Sequence, residues 1–294
     1  MRSPGSPGNP LPLMPRPHGR TAFVLTGGAA HGAVQVGMLR ALSEAGIRPD
    51  LLIGTSAGAL NAVAFAADPT PHGVERLATA WHNARRSRVF PIAPYRLALG
   101  ALGRRDHLMS NRGLQRLISG VIEIGRLEHS AIPVHVVAAD LRTGEPVVIS
   151  QGAVLPALLA STAIPGLFPP IELAGRTLID GGVAADTPVA EAEALGATTI
   201  YVLPTFAADR LAARPRSASA VGSLAMGQLL GHAGADKIAS ARRATVHLLP
   251  APPTSEISPF DIARSAQLID QAARLATLWI EDDRATQFSP AVSL

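Results

Sequence analysis

Twice near its start the chain runs through an apolar segment of strand length that closes on glycine or serine, followed by a stretch with apolar residues at helical spacing. The first pair is TAFVLTGG (21–28) and HGAVQVGMLRALSEAG (31–46), where Ala33, Val36, Leu39, Leu42 and Ala45 recur along one face and Gly46 supplies the stop. The second is DLLIGTS (50–56) and SAGALNAVAFAAD (56–68), a helix apolar on all sides and therefore buried. A strand that is apolar along its whole length needs cover on both faces. Strand–helix–strand–helix order provides it by building a parallel sheet between two helical layers. That alternation, more than any other feature, limits the folds open to this chain.

The remaining periodicities extend the pattern. Strands are predicted over 133–141, 145–150 (with Thr143-Gly144 as the turn), 176–182, 198–205 and 244–249. Helices are predicted over 72–86, 111–119, 189–196, 221–241 and 261–283, and a short one from 154 that becomes a proline-punctuated loop by 171. Residues 85–108 fit no regular element well, and 207–220 form a polar connection. Residues 1–18 are rich in proline and glycine and lack a continuous apolar core, so they are expected to be a flexible tail and not a signal peptide. No composition break divides 19–294, which is expected to be a single domain. With 47% hydrophobic and 16% charged residues, most of the chain has the composition of a folded core. The absence of cysteine excludes disulfides, thiolate metal sites and cysteine nucleophiles. No run of about 18 uninterrupted apolar residues occurs, so the expectation is a soluble, cytoplasmic protein that at most touches a membrane peripherally.

Three small motifs carry chemistry. Gly54-x-Ser56-x-Gly58 places a serine between a strand and a helix, with small neighbours that permit the strained turn of a nucleophile elbow. The alternative is an ordinary tight turn. TGGAAHG (26–32) puts Gly27, Gly28 and Gly32 at the mouth of the first strand, where backbone N–H groups can approach an anionic oxygen. A dinucleotide fingerprint starting at Gly27 would need glycine at position 29, where Ala29 stands, so an oxyanion hole is the better reading. Asp180, in Asp-Gly-Gly at the end of a predicted strand, either serves as a general base or merely caps its turn. A Ser-His-Asp triad would draw on His232 or His247, and neither has a motif around it.

In this order the motifs resemble the patatin-like phospholipase family. AADLRTGEPVVIS (138–150), ASTAIPGLFPPI (160–171) and NRGLQRLI (111–118) strengthen the likeness, which extends from about Thr21 to about Thr205. The resemblance implies a three-layer α/β/α sandwich with a mostly parallel central sheet, and a serine acyl hydrolase acting on (phospho)lipid esters. It implies Ser56 as nucleophile and Asp180 as base, Gly27, Gly28 and Ala29 as backbone donors of the oxyanion hole, and Gly54 and Gly58 as the elbow glycines. A covalent acyl-serine intermediate would be hydrolysed by water, with no metal and no cofactor.

Two positions depart from the family's loop, which usually reads Gly-Gly-Gly-x-Arg-Gly: Ala29 replaces a glycine and His31, before Gly32, replaces the arginine. Ala29 is tolerated without strain only if its φ is negative. His31 either supplies a positive charge below a pKa near 6.5, which would make activity fall between pH 6 and 8, or simply orders the loop. Segment 85–108 interleaves Arg85, Arg86, Arg88, Arg96, Arg104 and Arg105 with Phe90, Ile92, Tyr95, Leu97, Leu99 and Leu102. That mixture suits a peripheral contact with an anionic membrane surface, or else packs on the core. Nucleic acid is not an expected partner, since no basic helix or stacking platform occurs. A small-ester carboxylesterase or thioesterase with the same dyad, and a weakly active lipid-binding protein, are the alternative functions.

Overall fold

Ala22 and Val24 lie in one core and Phe23 and Leu25 in the other, on opposite faces of the first strand, and all four are fully buried. This two-sided burial is what the uninterrupted apolar run requires. The computed structural model describes residues 19–90, 106–206, 238–239, 241–254 and 257–288. Among them, eight strands form one sheet: β1 (Arg20–Leu25), β2 (Leu51–Thr55), β3 (Val134–Asp140), β4 (Pro146–Ile149), β5 (Ile171–Leu173), β6 (Arg176–Asp180), β7 (Ala197–Leu203) and β8 (Thr245–Leu248). The spatial order is β5-β6-β3-β2-β1-β7-β8, and β4 pairs with β3. From β3 through β8 all pairings along this order are parallel, while β4, β5 and β6 join antiparallel.

Helices cover both faces. The larger core packs α1 (Ala33–Glu44), α2 (Ala57–Ala67), α3 (Pro71–Asn83) and the C-terminal α9 (Ser265–Phe288) against Phe23, Leu25, Leu52 and Val136. The smaller core, on the other face, packs α7 (Gly182–Ala185) and α8 (Val189–Ala194) against Ala22, Val24, Ile53 and Val202. The remaining described helices are α4 (Arg86–Val89), α5 (Arg112–Val121) and α6 (Val154–Ser161). Local signals set the ends. Thr70 Oγ1 accepts the Gly73 N–H at 3.2 Å and Pro71 occupies the first helical position, which together start α3. Gly46, at φ +75°, turns the chain after α1.

The alternation of strands and helices therefore folds as the sequence predicts, with three differences. β6 runs antiparallel to β3, so Asp180 reaches the carboxyl edge of the parallel strands tip to tip and not as a member of the parallel set. The proline-punctuated segment ends in β5, and the chain after Asp-Gly-Gly enters α7, neither of which has a periodic signal long enough to predict. Within 85–108, residues 86–89 form α4, whereas 91–105 lie outside the described residues, as do 1–18 and nearly all of the helix expected at 221–241.

Candidate functional site

Ser56 is the single residue between β2 and α2, with φ +54° and ψ −120°. An L-residue adopts that backbone only under constraint. The constraint is packing. A Cβ on Gly58 would collide with the Leu25 and Thr26 carbonyls, and one on Gly54 would collide with the backbone at Gly58. The two glycines of the motif thus allow α2 to start directly against β1 and β2, which forces the turn at Ser56. The Ser56 N–H donates to Ser161 Oγ at 2.8 Å, and Ser161 Oγ in turn donates to the Val137 carbonyl at 2.6 Å. Thr55 Oγ1 donates to the Ala185 carbonyl at 2.7 Å and ties the strand end to α7.

Strand register brings Asp180 to the same point. Thr55 pairs with Val137 of β3, and Asp180 pairs with the next residue, Ala138. The ends of β2 and β6 therefore abut, and Ser56 Oγ donates to Asp180 Oδ2 at 2.7 Å. Asp180 Oδ1 accepts the Gly182 N–H at 2.8 Å, which is the turn-capping contact that Asp-Gly-Gly suggested. Both roles fit one carboxylate because its two oxygens face different donors. Asp180 is 7% exposed. Burial pushes its carboxyl up to about 6, against the opposing pull of the hydrogen bonds from Ser56 and Gly182.

The glycine loop sits on a buried polar scaffold. Gln35 Nε2 donates to the carbonyls of Thr26 (2.8 Å) and Leu203 (2.9 Å). Asn61 Nδ2 donates to the Gly32 carbonyl and to Gln35 Oε1, each at 2.8 Å, and Asn61 Oδ1 accepts Trp81 Nε1–H at 2.8 Å. Thr205 Oγ1 donates to the Gly27 carbonyl. The loop's N–H groups divide. Gly27 gives its own to the Asp186 carbonyl at 3.3 Å, so it is not an open donor as the family pattern implied. Among the described residues nothing accepts the Gly28 and Ala29 N–H groups. Ala29 has φ +50°; the alanine occupies the left-handed region and carries the strain that a glycine would avoid. Of three non-glycine residues with positive φ among those described, two, Ala29 and Ser56, belong to this site, so backbone strain is concentrated there.

His31 does not serve as a pH-dependent charge. It is 1% exposed, and burial pushes its imidazole down to about 4, only partly offset by the Ile257 carbonyl and Asp261. It is neutral across pH 6–8. Its Nε2–H donates to the Ile257 carbonyl at 3.1 Å and its ring meets Phe206 edge to face, so it ties the loop to the C-terminal segment, the ordering role.

A narrow apolar pocket opens beside Ser56. Its walls include Leu60, Trp81, Phe90, Leu114, Phe168 and Ile262, with Ala29, Ala30 and Ala57 near the serine. Phe90 is buried and packs against Phe168 and Phe260; it is a pocket wall and not a lipid-facing anchor. Of the other apolar residues proposed for surface contact in segment 85–108, Ile92, Tyr95, Leu97, Leu99 and Leu102 lie outside the described residues, with Arg96, Arg104 and Arg105.

A sequence profile described as "Patatin-like phospholipase" matches residues 23–193, more than half of the chain. The chain belongs to the patatin-like phospholipase family. The matched span contains the glycine loop, the elbow and Asp180. Curated family relatives include the rat patatin-like phospholipase domain-containing protein 7, 29% identical over 190 residues, which cover 64% of this chain and 14% of that protein. An uncharacterised NTE family protein of Mycobacterium tuberculosis is 32% identical over 166 residues, 56% of this chain and 27% of that protein. The chain thus matches about a quarter or less of the length of these relatives. Among solved structures it is similar to VipD from Legionella pneumophila (TM-score 0.44, 15% identity, 90% of this chain and 67% of that chain). It is also similar to human GIVD cytosolic phospholipase A2 in complex with methyl gamma-linolenyl fluorophosphonate (TM-score 0.47, 12% identity, 91% and 58%).

Within this patatin-like site, four residues outside the motifs hold the motifs together. Ser161 bonds the Ser56 N–H through its side chain and the Gly181 N–H (3.4 Å) through its carbonyl, clamping both halves of the pair. Asn61, Gln35 and Asp186 fix the loop. In the sequence, Ser161 lies in the family-like stretch ASTAIPGLFPPI and Asn61 in the apolar run ALNAVA, where a lone buried amide is the one visible signal.

Proposed function

We propose that this patatin-like protein is a serine acyl hydrolase that cleaves acyl esters of lipids through a Ser56–Asp180 dyad. The observation that carries the reading is the 2.7 Å hydrogen bond from Ser56 Oγ to Asp180 Oδ2, made by a strained elbow serine beside an apolar pocket. With a carboxyl near 6, Asp180 is ionised at neutral pH yet basic enough to take a proton in the transition state. As Ser56 Oγ bonds to the ester carbonyl carbon, its proton passes to Asp180 Oδ2. The carbonyl oxygen becomes an oxyanion that the Gly28 and Ala29 N–H groups stabilise, joined by the Ala57 N–H at the first turn of α2. Asp180 then returns the proton to the departing alkoxide, leaving acyl-Ser56. Water attacks that ester while Asp180 accepts its proton, and Ser56 leaves with that proton restored. The apolar pocket takes the acyl chain. Peripheral contact with a membrane surface belongs to the same reading. Its support is exposed Leu141 and Val183, which follow the β3 and β6 ends, and exposed Arg85, Arg86 and Arg88.

The test is hydrolysis of a panel of phospholipid, neutral glyceride and soluble short-chain esters by wild type, Ser56→Ala and Asp180→Asn. Release of fatty acid by wild type, abolished in both variants, is expected. Equal release by Ser56→Ala would refute the assignment, and activity confined to soluble esters would move the substrate class to small esters.

A further inference from the structure

The glycine loop is held by a strap of the C-terminal segment, residues 257–262, which lies past the end of the family-matched span. Two carbonyls of the strap engage consecutive residues of the loop. The Ala30 N–H donates to the Pro259 carbonyl at 2.8 Å, and His31 Nε2–H donates to the Ile257 carbonyl at 3.1 Å. A carbonyl only accepts, which places the His31 proton on Nε2. His31 Nδ1 is then a bare acceptor, buried and without a partner among the described residues. An unpaired buried acceptor destabilises a fold, so an imidazole is not the ring that packing alone would select here.

These ties aim a donor. The His31 N–H donates to the Gly28 carbonyl at 3.0 Å and closes a turn around Ala29 and Ala30. In a trans peptide the C=O and N–H point in opposite directions. With the Gly28 carbonyl turned inward, the Ala29 N–H of the same peptide points out of the turn, and Ala29 borders the pocket beside Ser56. The Pro259 carbonyl holds the next peptide by its N–H, so the peptides on both sides of Ala29 are fixed while its φ stands at +50°. An alanine keeps that backbone only where its surroundings hold it. The strap is itself anchored. Asp261 Oδ1 accepts the Ala263 N–H at 3.0 Å, and Ser265 Oγ donates to the Ile262 carbonyl at 2.7 Å. The helices that follow loop and strap, α1 and α9, interlock at Gly37, where a Cβ would collide with the Ile269 carbonyl. The same strap walls the acyl pocket: Ile262 lines it, and Phe260 packs edge to face on Phe90.

We propose that the strap is the positioning element of the oxyanion hole and acts through two positioning residues, His31 and Pro259. The use of the Ala29 N–H as an oxyanion donor rests on the hydrolase reading above. The bonds that aim it do not. A loosened strap leaves Ser56, Asp180 and most of the acyl pocket in place but lets the Ala29 N–H turn away from the developing negative charge. The loss then falls on the transition state and not on substrate binding.

The test compares wild type, His31→Phe, His31→Gln and Pro259→Gly in two measurements on the full chain. One is kcat and KM for para-nitrophenyl butyrate. The other is the inhibition constant of a trifluoromethyl hexyl ketone, whose carbonyl carbon bonds to Ser56 Oγ as the serine proton passes to Asp180 and the carbonyl oxygen becomes an oxyanion in the hole. His31→Phe keeps a ring against Phe206 and removes the N–H, and Pro259→Gly frees the backbone at the other tie. Each is expected to lower kcat and to raise the inhibition constant at least about 10-fold, with KM changed less than about 3-fold. His31→Gln, which presents an N–H at similar reach, is expected to recover most of both losses. Pro259→Gly decides the outcome alone if His31→Phe does not fold. Wild-type turnover with kcat and inhibition constant unmoved by these variants retains the hydrolase and overturns the strap. So does a loss that appears in KM and not in kcat, or one that glutamine does not recover. A wild type that neither cleaves the ester nor binds the ketone refutes the hydrolase reading and this proposal with it.

Discussion

Asp180 combines the demands of a base with the costs of a buried acid. Its folded-state carboxyl, near 6, stands above the ordinary aspartate value of about 3.9, so the fold favours the protonated form. Its contribution to stability is therefore full below about pH 4 and is lost as pH rises through 6; at pH 8 the buried carboxylate costs up to roughly 3 kcal/mol. Asp180→Asn is expected to lower kcat by about 10³-fold while raising the denaturation midpoint above wild type at pH 8, with the two proteins converging at pH 4. Wild-type kcat/KM should rise with pH along a limb centred near 6 and then level off, because only ionised Asp180 takes the serine proton. His31 acts in the opposite direction. It protonates near 4 in the fold and near 6.5 in the unfolded chain, so stability is lost as pH falls between those values. Replacing it in His31→Gln should flatten that part of the stability profile, as denaturation at pH 4.5 and pH 7 will reveal. It should add no slope to activity between pH 6 and 8.

At the level of elements, the site results from two strand ends meeting on consecutive residues of β3, with the glycine loop laid over them. The apolar runs of β1 and β2, the elbow glycines and Asp-Gly-Gly are all legible in the sequence, because each is a local pattern with a local physical cause. What joins them is not local. The Ser56–Ser161 bond spans 105 residues and the Gln35–Leu203 bond 168, and neither leaves a periodicity or a turn signal. The direction of β6 was equally hidden, since an antiparallel strand buried on both faces has the same composition as a parallel one. The loop departures are informative for the same reason. The replacement of glycine by Ala29 is plain in the sequence, but its φ of +50° is set by the tertiary bonds of its neighbours. Removing one such tie, in Ser161→Ala, leaves the Ser56 N–H and the Val137 carbonyl short of a partner in a buried place. It should cost about 1–3 kcal/mol by chemical denaturation and lower kcat more than it alters KM, as expected of a positioning residue. In Asn61→Leu, three groups lose a partner at once, Gly32, Gln35 and Trp81, and the loss of stability should be larger.

On the scale of the whole molecule, the parallel strands, the antiparallel edge and both helical layers converge on one end of the sheet. There an apolar pocket lies beside a strained serine. No helix among the described residues is long and apolar enough to cross a membrane, and the contact with a lipid surface proposed above is a peripheral one. Arginine is well suited to it, since Lys237 is the only lysine in the chain. Binding to vesicles carrying anionic lipid should exceed binding to zwitterionic vesicles and weaken as salt rises from 0.05 to about 0.5 M, where the screening length falls well below 10 Å. Co-sedimentation measures both. The central claim, that Ser56 is a nucleophile activated by Asp180, is tested most directly by reaction with an alkyl fluorophosphonate at pH 8, read by mass spectrometry of the peptide containing residue 56. The account predicts a single adduct on Ser56, no adduct in Ser56→Ala, and labelling slowed at least 100-fold in Asp180→Asn. An adduct on another residue, or labelling that persists undiminished in Ser56→Ala, would contradict it.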